Sequence, residues 1–92
     1  MIIISDHAYK RAKERLGLNQ KALDRMAEKA FNDGFKHGET KGTLQKYITK
    51  LWFDHKNCNN VRIYGENIYF FRENKLVTLY RLHRKLIKFL NY

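Results

Sequence analysis

Apolar residues recur at helical spacing in two segments of the chain. In both segments five apolar residues follow the pattern i, i+3, i+4, i+7 and i+8, which places them on one face of a helix. The first segment predicts a helix over residues 20–33, and the second predicts a helix over residues 43–56. The positions are Leu23, Met26, Ala27, Ala30 and Phe31 in the first, and Leu44, Tyr47, Ile48, Leu51 and Trp52 in the second.

A shorter helix is predicted over residues 6–16. Ser5 belongs to the residue types that cap helix starts, and Asp6 places a carboxylate in the first turn, where the helix dipole favours it. Gly17 suits the left-handed conformation that ends many helices. The run of isoleucines at residues 2–4 predicts a short strand or a lead-in to this helix.

The second half of the chain contains three runs of β-branched and aromatic residues separated by turn residues. They predict strands over residues 61–64, 67–72 and 76–81, joined as an antiparallel meander. The expected fold class is α+β, with two to three N-terminal helices packed on one face of a small antiparallel sheet of three to four strands. Alternation assigns Val61, Ile63, Ile68, Phe70, Val77 and Leu79 to the covered face, and Arg62, Tyr64, Tyr69, Phe71, Thr78 and Tyr80 to the exposed face. For residues 84–92 the pattern fits either a short amphipathic helix or an edge strand.

The formal net charge is +10, from 19 Lys and Arg against 9 Asp and Glu in 92 residues. A field of this size attracts polyanions, so nucleic acid is the expected class of partner. The chain length and the lack of a linker-like stretch predict a single domain over residues 1–92. With one cysteine, no zinc-ligand spacing and an apolar opening too short for a signal peptide, we expect a cytoplasmic protein without metal, cofactor or membrane partner.

His7, Arg11 and Arg15 follow one another at a spacing of four. On a helix this spacing lines them up along one face. Imidazole gives or takes a proton near neutral pH, and two guanidinium groups suit the oxygens of a phosphodiester. The alternative interpretation is a basic helix face in solvent that begins with a capping turn.

The predicted exposed sheet face combines arginine with aromatic rings, which suits stacking on bases and contact with phosphate. Its candidate nucleic-acid-binding residues are extended by a basic stretch after the last strand. The candidates are Arg62, Tyr64, Tyr69, Arg81, Arg84 and Lys85. The alternative is ordinary cross-strand packing on the wet side of a sheet.

Four stretches, which together cover most of the chain, carry a resemblance to known groups of proteins. TKGTLQKYITKLWF, residues 40–53, and NNVRIYGENIYFFRENKLVTLYRL, residues 59–82, resemble proteins carried by phages and prophages. The segment IISDHAYKRAKER, residues 3–15, resembles the His-x-x-x-Arg-x-x-x-Arg helix opening of a group of small bacterial and phage proteins, and KLVTLYRL, residues 75–82, resembles the group's terminal strand. Such proteins are similar to the barnase, EndoU, colicin and RelE (BECR) ribonuclease superfamily, in which N-terminal helices pack on a four-stranded antiparallel sheet. The resemblance implies a catalytic set of His7, Arg11, Arg15, Thr78 and Tyr80.

The expected function is RNA cleavage without a metal, by attack of the substrate's own 2′-hydroxyl on the adjacent phosphorus. In that mechanism His7 acts as general base or acid, the arginines stabilise the phosphorane, and Thr78 and Tyr80 orient the phosphate. The resemblance also suggests a toxin with an acidic antitoxin partner. The alternative is a non-catalytic, phage-encoded modulator that binds nucleic acid or a host nucleoprotein such as a defence complex. A third option is a structural or assembly protein that happens to be basic.

Overall fold

A computed structural model describes residues 2–86 of the chain. Three helices and five strands follow one another, with short 3-10 turns at His37–Glu39 and Phe53–His55. The order is β1 (Ile3–Ile4), α1 (Asp6–Leu16), α2 (Gln20–Asp33), β2 (Phe35–Lys36), α3 (Gly42–Trp52), β3 (Asn60–Tyr64), β4 (Asn67–Arg72) and β5 (Lys75–Arg81). The α+β class is therefore confirmed.

The five strands form one mixed sheet in the order β1-β5-β4-β3-β2. Strands β2 to β5 pair antiparallel, whereas β1 pairs parallel to the start of β5. The expectation of three to four antiparallel strands is wrong at both edges. The edge strands β1 and β2 have two residues each, which is too short to show a period of two in the sequence.

Helices cover both faces of the sheet. The face that carries Tyr69 and Phe71 packs against small residues of α1 and α2, such as Ala12 and Ala27, in the first core cluster. The other face packs against α3 in a second core cluster, whose buried members are Leu44, Ile48, Cys58, Val61, Ile63, Ile68, Phe70, Leu82 and Leu86. The prediction that all helices share one face, and that the opposite face is exposed, is wrong.

An irregularity in β5 changes which side chains share a face. Phe70 pairs with Thr78, but Phe71 pairs with Leu76, so one residue of β5 bulges out of register between them. Leu79 therefore packs in the first core cluster, and Tyr80 packs against the second. This corrects the predicted faces, which placed Leu79 with the α3-facing residues and Tyr80 with Tyr69.

Ser5 fixes the start of α1 against β5. Its Oγ accepts a hydrogen bond from the backbone N–H of Ala8 at 3.0 Å and donates to the carbonyl of Val77 at 3.2 Å. Its own N–H donates to the carbonyl of Leu76 at 3.1 Å. The N-cap thus joins the first helix to the last strand, and this junction positions the basic face of α1.

The described chain ends in a 3-10 turn at residues 84–86. The choice between a helix and an edge strand for the final segment falls mainly on residues 87–92, which lie outside the described residues. Among residues 2–86, no helix has the length and apolar character needed to cross a membrane.

Candidate nucleic-acid cleavage site

The basic face predicted for α1 is present. Arg11 donates from Nε to Nε2 of His7 at 3.3 Å, and its terminal nitrogen lies 3.4 Å from the carboxylate of Glu14. Because an arginine cannot accept a hydrogen bond, Nε2 of His7 is the acceptor in this contact. The imidazole is therefore held in a form whose Nε2 lone pair is available for a proton once Arg11 moves aside.

Arg15 reaches from α1 to the part of β5 that lies beyond its pairing with β1. Its terminal nitrogen donates to the carbonyl of Leu79 at 3.0 Å. Its guanidinium carbon lies 4.3 Å from the centre of the Tyr80 ring, which is a cation–π distance. The structure thus brings together Arg15 and Tyr80, two of the residues predicted for catalysis from opposite ends of the chain.

His55 joins this group, although the sequence pattern does not single it out for proton transfer. Its Nε2 atom lies 2.7 Å from the hydroxyl of Tyr80, and the two ring centres are 5.7 Å apart. The ring also packs 5.2 Å from that of Phe70 on the sheet. His55 is a second imidazole beside the predicted residues.

Several backbone and side-chain contacts hold His55 in position. The indole nitrogen of Trp52 donates to the carbonyl of Cys58 at 3.0 Å, and the N–H of Cys58 donates to the carbonyl of His55 at 2.9 Å. These bonds close the chain around the 3-10 turn that carries His55. The buried Cys58 thiol belongs to the second core cluster and is packed among apolar residues.

The electrostatic surroundings of His55 link it to α1. Burial lowers the pKa of His55, the carboxylate of Asp54 opposes this shift, and the neighbouring Arg15 and His7 add to it. Coulombic effects of this kind fall off over a few ångströms to a Debye length. Arg15 and His55 both contact Tyr80, and burial favours the neutral form of the His55 imidazole.

Thr78 is the predicted catalytic residue that the structure removes from the surface. Only 1 % of it is exposed, and it pairs with Phe70 in the middle of the sheet. A substrate on the protein surface has no access to its hydroxyl. Thr78 supports the strand that carries Tyr80 rather than orienting a phosphate, which corrects the role implied by the resemblance.

The sheet face that was predicted to bind nucleic acid is covered by helices in the structure. Tyr69 is fully buried, and burial raises the pKa of its hydroxyl. Tyr64 is half-buried against the first core cluster. Arg62 donates to Asn60 at 2.9 Å and to the carbonyl of Gly34 at 3.1 Å, so it ties β3 to the end of α2. The cross-strand packing alternative describes these three residues better.

The basic stretch after β5 is exposed. Arg84 and Lys85 lie in solvent, and Arg81 contacts the carboxylate of Glu66 at 3.3 Å across a turn. These residues place exposed positive charge directly after Tyr80 in the chain. Of the six predicted binding residues, these three remain available to a polyanion.

The described residues contain no group of three or more His, Cys, Asp or Glu side chains arranged to hold a metal ion. The cluster instead offers imidazole, phenol and guanidinium groups, which transfer protons and bind oxyanions. Comparison of the chain with protein-family models, with curated proteins and with solved structures finds no match.

Proposed function

We propose that the protein is a metal-independent endoribonuclease that cleaves RNA by attack of the 2′-hydroxyl on the adjacent phosphorus. The observation that carries this proposal is the convergence of α1 with β5 and the turn after α3. Arg15 lies over the Tyr80 ring, and His55 lies at hydrogen-bond distance from the Tyr80 hydroxyl. His7 and Arg11 lie on the same face of α1 as Arg15, and the five residues supply proton-transfer and anion-binding groups that phosphodiester transfer without a metal can use.

In the proposed mechanism, Arg11 turns from His7 to the phosphate when RNA binds. Nε2 of His7 then takes the proton of the 2′-hydroxyl as the bond from that oxygen to phosphorus forms. The bond from phosphorus to the 5′ oxygen breaks, and Tyr80 gives this oxygen its hydroxyl proton. The products are a 2′,3′-cyclic phosphate and a free 5′-hydroxyl.

His55 supports Tyr80 in this scheme. The tautomer of His55 that carries its proton on Nε2 donates to the Tyr80 oxygen and leaves the phenolic proton free for the leaving group. The charge of Arg15 above the ring stabilises the phenolate that remains. Arg15 keeps further N–H groups beyond the one bound to Leu79, and these can contact the phosphorane oxygens.

The proposal includes a relationship to the BECR superfamily and a cytoplasmic, RelE-like toxin role with RNA as the substrate. An acidic antitoxin is the matching protein partner, because the described surface presents the arginines and lysines that such a partner neutralises. Support comes from the α+β fold, the His-x-x-x-Arg-x-x-x-Arg face on α1 and the hydroxyl-bearing strand β5 beside it.

The test is cleavage of mixed RNA in the presence of a chelator. We expect the wild type to cut RNA but not DNA of the same sequence, since DNA lacks the attacking hydroxyl. His7→Ala should reduce cleavage about 100- to 10,000-fold, whereas His83→Ala, which alters an exposed histidine outside the site, should leave the rate unchanged. Equal cleavage by wild type and His7→Ala would remove His7 from the mechanism and refute the proposal as stated.

The alternative is a non-catalytic modulator that binds nucleic acid or a host nucleoprotein through the same basic surface. It is favoured by the excess of 19 basic over 9 acidic residues in the chain. In this case Arg11→Gln with Arg15→Gln should abolish binding to RNA, and His7→Ala should be silent in every assay. Binding that weakens steeply with salt is expected under both functions, so the cleavage result decides between them.

A further inference from the structure

Phe53 is a large apolar side chain that the fold leaves in solvent. It is 56 % exposed, and it begins the same 3-10 turn that carries His55. Its only described ring neighbour is Trp52, whose ring centre lies 5.7 Å away in a tilted arrangement. A single exposed apolar side chain is common on a protein surface, so the ring is informative only together with the groups around it.

The ring borders an open groove on the outer side of α3. The groove has a volume of about 280 Å³ and is lined by Gln45, Lys46, Thr49, Lys50 and Phe53. None of these lining residues is acidic. The groove therefore combines an apolar wall with two ammonium groups and amide and hydroxyl hydrogen-bonding groups.

A third lysine lies directly at the ring. Nζ of Lys56 is 5.1 Å from the centre of the Phe53 ring, within the range of a cation–π contact. The long side chain of Lys56 is flexible, so an incoming flat group can displace it from the ring face. The acidic residue of this turn, Asp54, is exposed beside Phe53, and the three lysines outnumber it.

We propose that the groove beside Phe53 is a subsite for one nucleotide of single-stranded RNA, with the base stacked on the Phe53 ring and the flanking phosphates held by Lys46, Lys50 and Lys56. An aromatic platform beside lysines is the combination that single-stranded nucleic acids use, because every base presents a flat face next to a charged backbone. The inference rests on the proposed function for its substrate class.

Phe53 and His55 stand two residues apart in one 3-10 turn, so their side chains point to different sides of it. An RNA strand held at Phe53 would pass around this turn to reach the His55–Tyr80 pair. Binding energy from the nucleotide at Phe53 contributes to holding such a strand on the protein. Loss of the subsite should weaken binding and cleavage of oligonucleotides together.

The test uses a fluorescently labelled uridine hexamer with 2′-O-methyl groups, which retains its bases and phosphates but cannot undergo 2′-hydroxyl attack. Its dissociation constant is measured by anisotropy with the full chain. Phe53→Leu keeps an apolar side chain without a ring, and we expect it to weaken binding about 5- to 100-fold. Phe53→Tyr keeps the ring and should bind within about twofold of the wild type.

The lysines have a matched control on another surface. Lys50→Ala should weaken hexamer binding and reduce the slope of affinity against salt by about one charge, whereas Lys29→Ala on α2 should change neither. All of these side chains are exposed, so the variants keep the fold. Hexamer binding that is unchanged in Phe53→Leu would overturn the subsite.

The two proposals fail separately. If His7→Ala cleaves RNA as well as the wild type but Phe53→Leu loses hexamer affinity, the catalytic mechanism is wrong and the subsite stands. If cleavage depends on His7 but Phe53→Leu binds the hexamer as tightly as the wild type, the subsite is wrong and the proposed catalytic function is supported. Binding of an acidic peptide but not of the hexamer at Phe53 would also overturn the subsite in favour of a protein partner.

Discussion

The Nε2 atom of His55 lies 2.7 Å from the hydroxyl oxygen of Tyr80. This contact joins the turn after α3 to the last strand of the sheet, on the face that α3 covers. Arg15 approaches the same tyrosine ring from α1, with its guanidinium carbon 4.3 Å from the ring centre. Tyr80 is therefore the residue at which the three parts of the site meet.

Tyr80→Phe should separate the chemistry of the site from its packing. The variant keeps the ring beneath Arg15 but removes the hydroxyl bound to His55, so we expect cleavage to fall about 100-fold or more while RNA affinity is unchanged. Loss of the hydrogen bond should lower the free energy of unfolding by about 1 kcal/mol. Initial cleavage rates, anisotropy and urea unfolding measure the three quantities.

The matched control for this variant is Tyr64→Phe. Tyr64 is also a half-buried tyrosine of the sheet, but it packs in the first core cluster on the opposite face. We expect its cleavage rate to equal that of the wild type. If Tyr80→Phe also cuts RNA at the wild-type rate, Tyr80 is not the proton donor.

The lowered pKa of His55 predicts a loss of stability in mild acid. Burial keeps this imidazole neutral below its usual pKa of 6.5, so the unfolded chain binds a proton at a higher pH than the folded protein does. The free energy of unfolding should therefore fall as the pH drops through 6.5 toward the pKa in the folded protein. Above 6.5 both states are neutral at this residue and its contribution is constant.

Chemical unfolding at a series of pH values measures this effect. In His55→Gln the dependence of stability on pH below neutrality should be weaker than in the wild type, whereas His83→Ala should retain the wild-type slope. An identical slope in His55→Gln and the wild type would contradict the depressed pKa. Because the ring is partly exposed, the direction of the change is the quantity to compare.

Gly34→Ala should destabilise the protein by about 1 to 3 kcal/mol. A methyl group at Gly34 would lie 2.5 Å from the carbonyl oxygen of Ala30 and 3.1 Å from the carbonyl oxygen of Ile63. Both are backbone atoms at the junction of α2 with β3, so neither can move independently. Gly38→Ala is the control, because a methyl group there has nothing within 4 Å and should change stability by less than about 0.5 kcal/mol.

Ser5→Ala should lower the free energy of unfolding by about 1 kcal/mol, because it removes the N-cap of α1. The substitution also removes the bond to the Val77 carbonyl that holds the start of α1 on β5, so cleavage should fall as well. Asn19→Ala removes a similar cap from α2, where Oδ1 accepts from the N–H of Ala22 at 2.8 Å. Asn19→Ala should lower the free energy of unfolding by a similar amount without changing the cleavage rate per folded molecule. Equal cleavage rates in Asn19→Ala and Ser5→Ala would contradict a positioning role for Ser5.

The local parts of the fold could be predicted from the sequence because their determinants are local. Caps such as Ser5 and Gly17 stand at the ends of the helix that they delimit, and the start and end of α1 agree with the prediction. Side-chain periodicity also identified the three strands of the meander. It could not show that α3 packs on the opposite face from α1 and α2, because aromatic residues such as Tyr69 and Phe71 suit either a wet or a buried face.

The bulge in β5 explains why the predicted strand faces were partly wrong. Alternation over Val77, Thr78 and Leu79 assumes an uninterrupted pairing with β4, but the register shifts between Phe70 and Phe71. No glycine or proline marks this position in β5, so composition gives no signal for it.

The sequence predicted only part of the candidate site, because some of its contacts are local and others join residues far apart in the chain. The face of His7, Arg11 and Arg15 depends on helical spacing within one element, and the structure shows it. His55 was missed because its partner Tyr80 is 25 residues away, and no local spacing relates a residue after α3 to one in β5. The ring of His55 is directed at the sheet, where it packs against Phe70 and Tyr80.

The bond between Ser5 and Val77 spans 72 positions, and Arg15 depends on the Leu79 carbonyl in the same strand. A nascent polypeptide therefore displays its cationic helix long before the groups that complete the site exist. Only after β5 has been translated and has paired with β4 can Tyr80 meet His55 and Arg15. The arrangement around Tyr80 is accordingly a property of the folded chain as a whole, and no N-terminal fragment that lacks β5 can contain it.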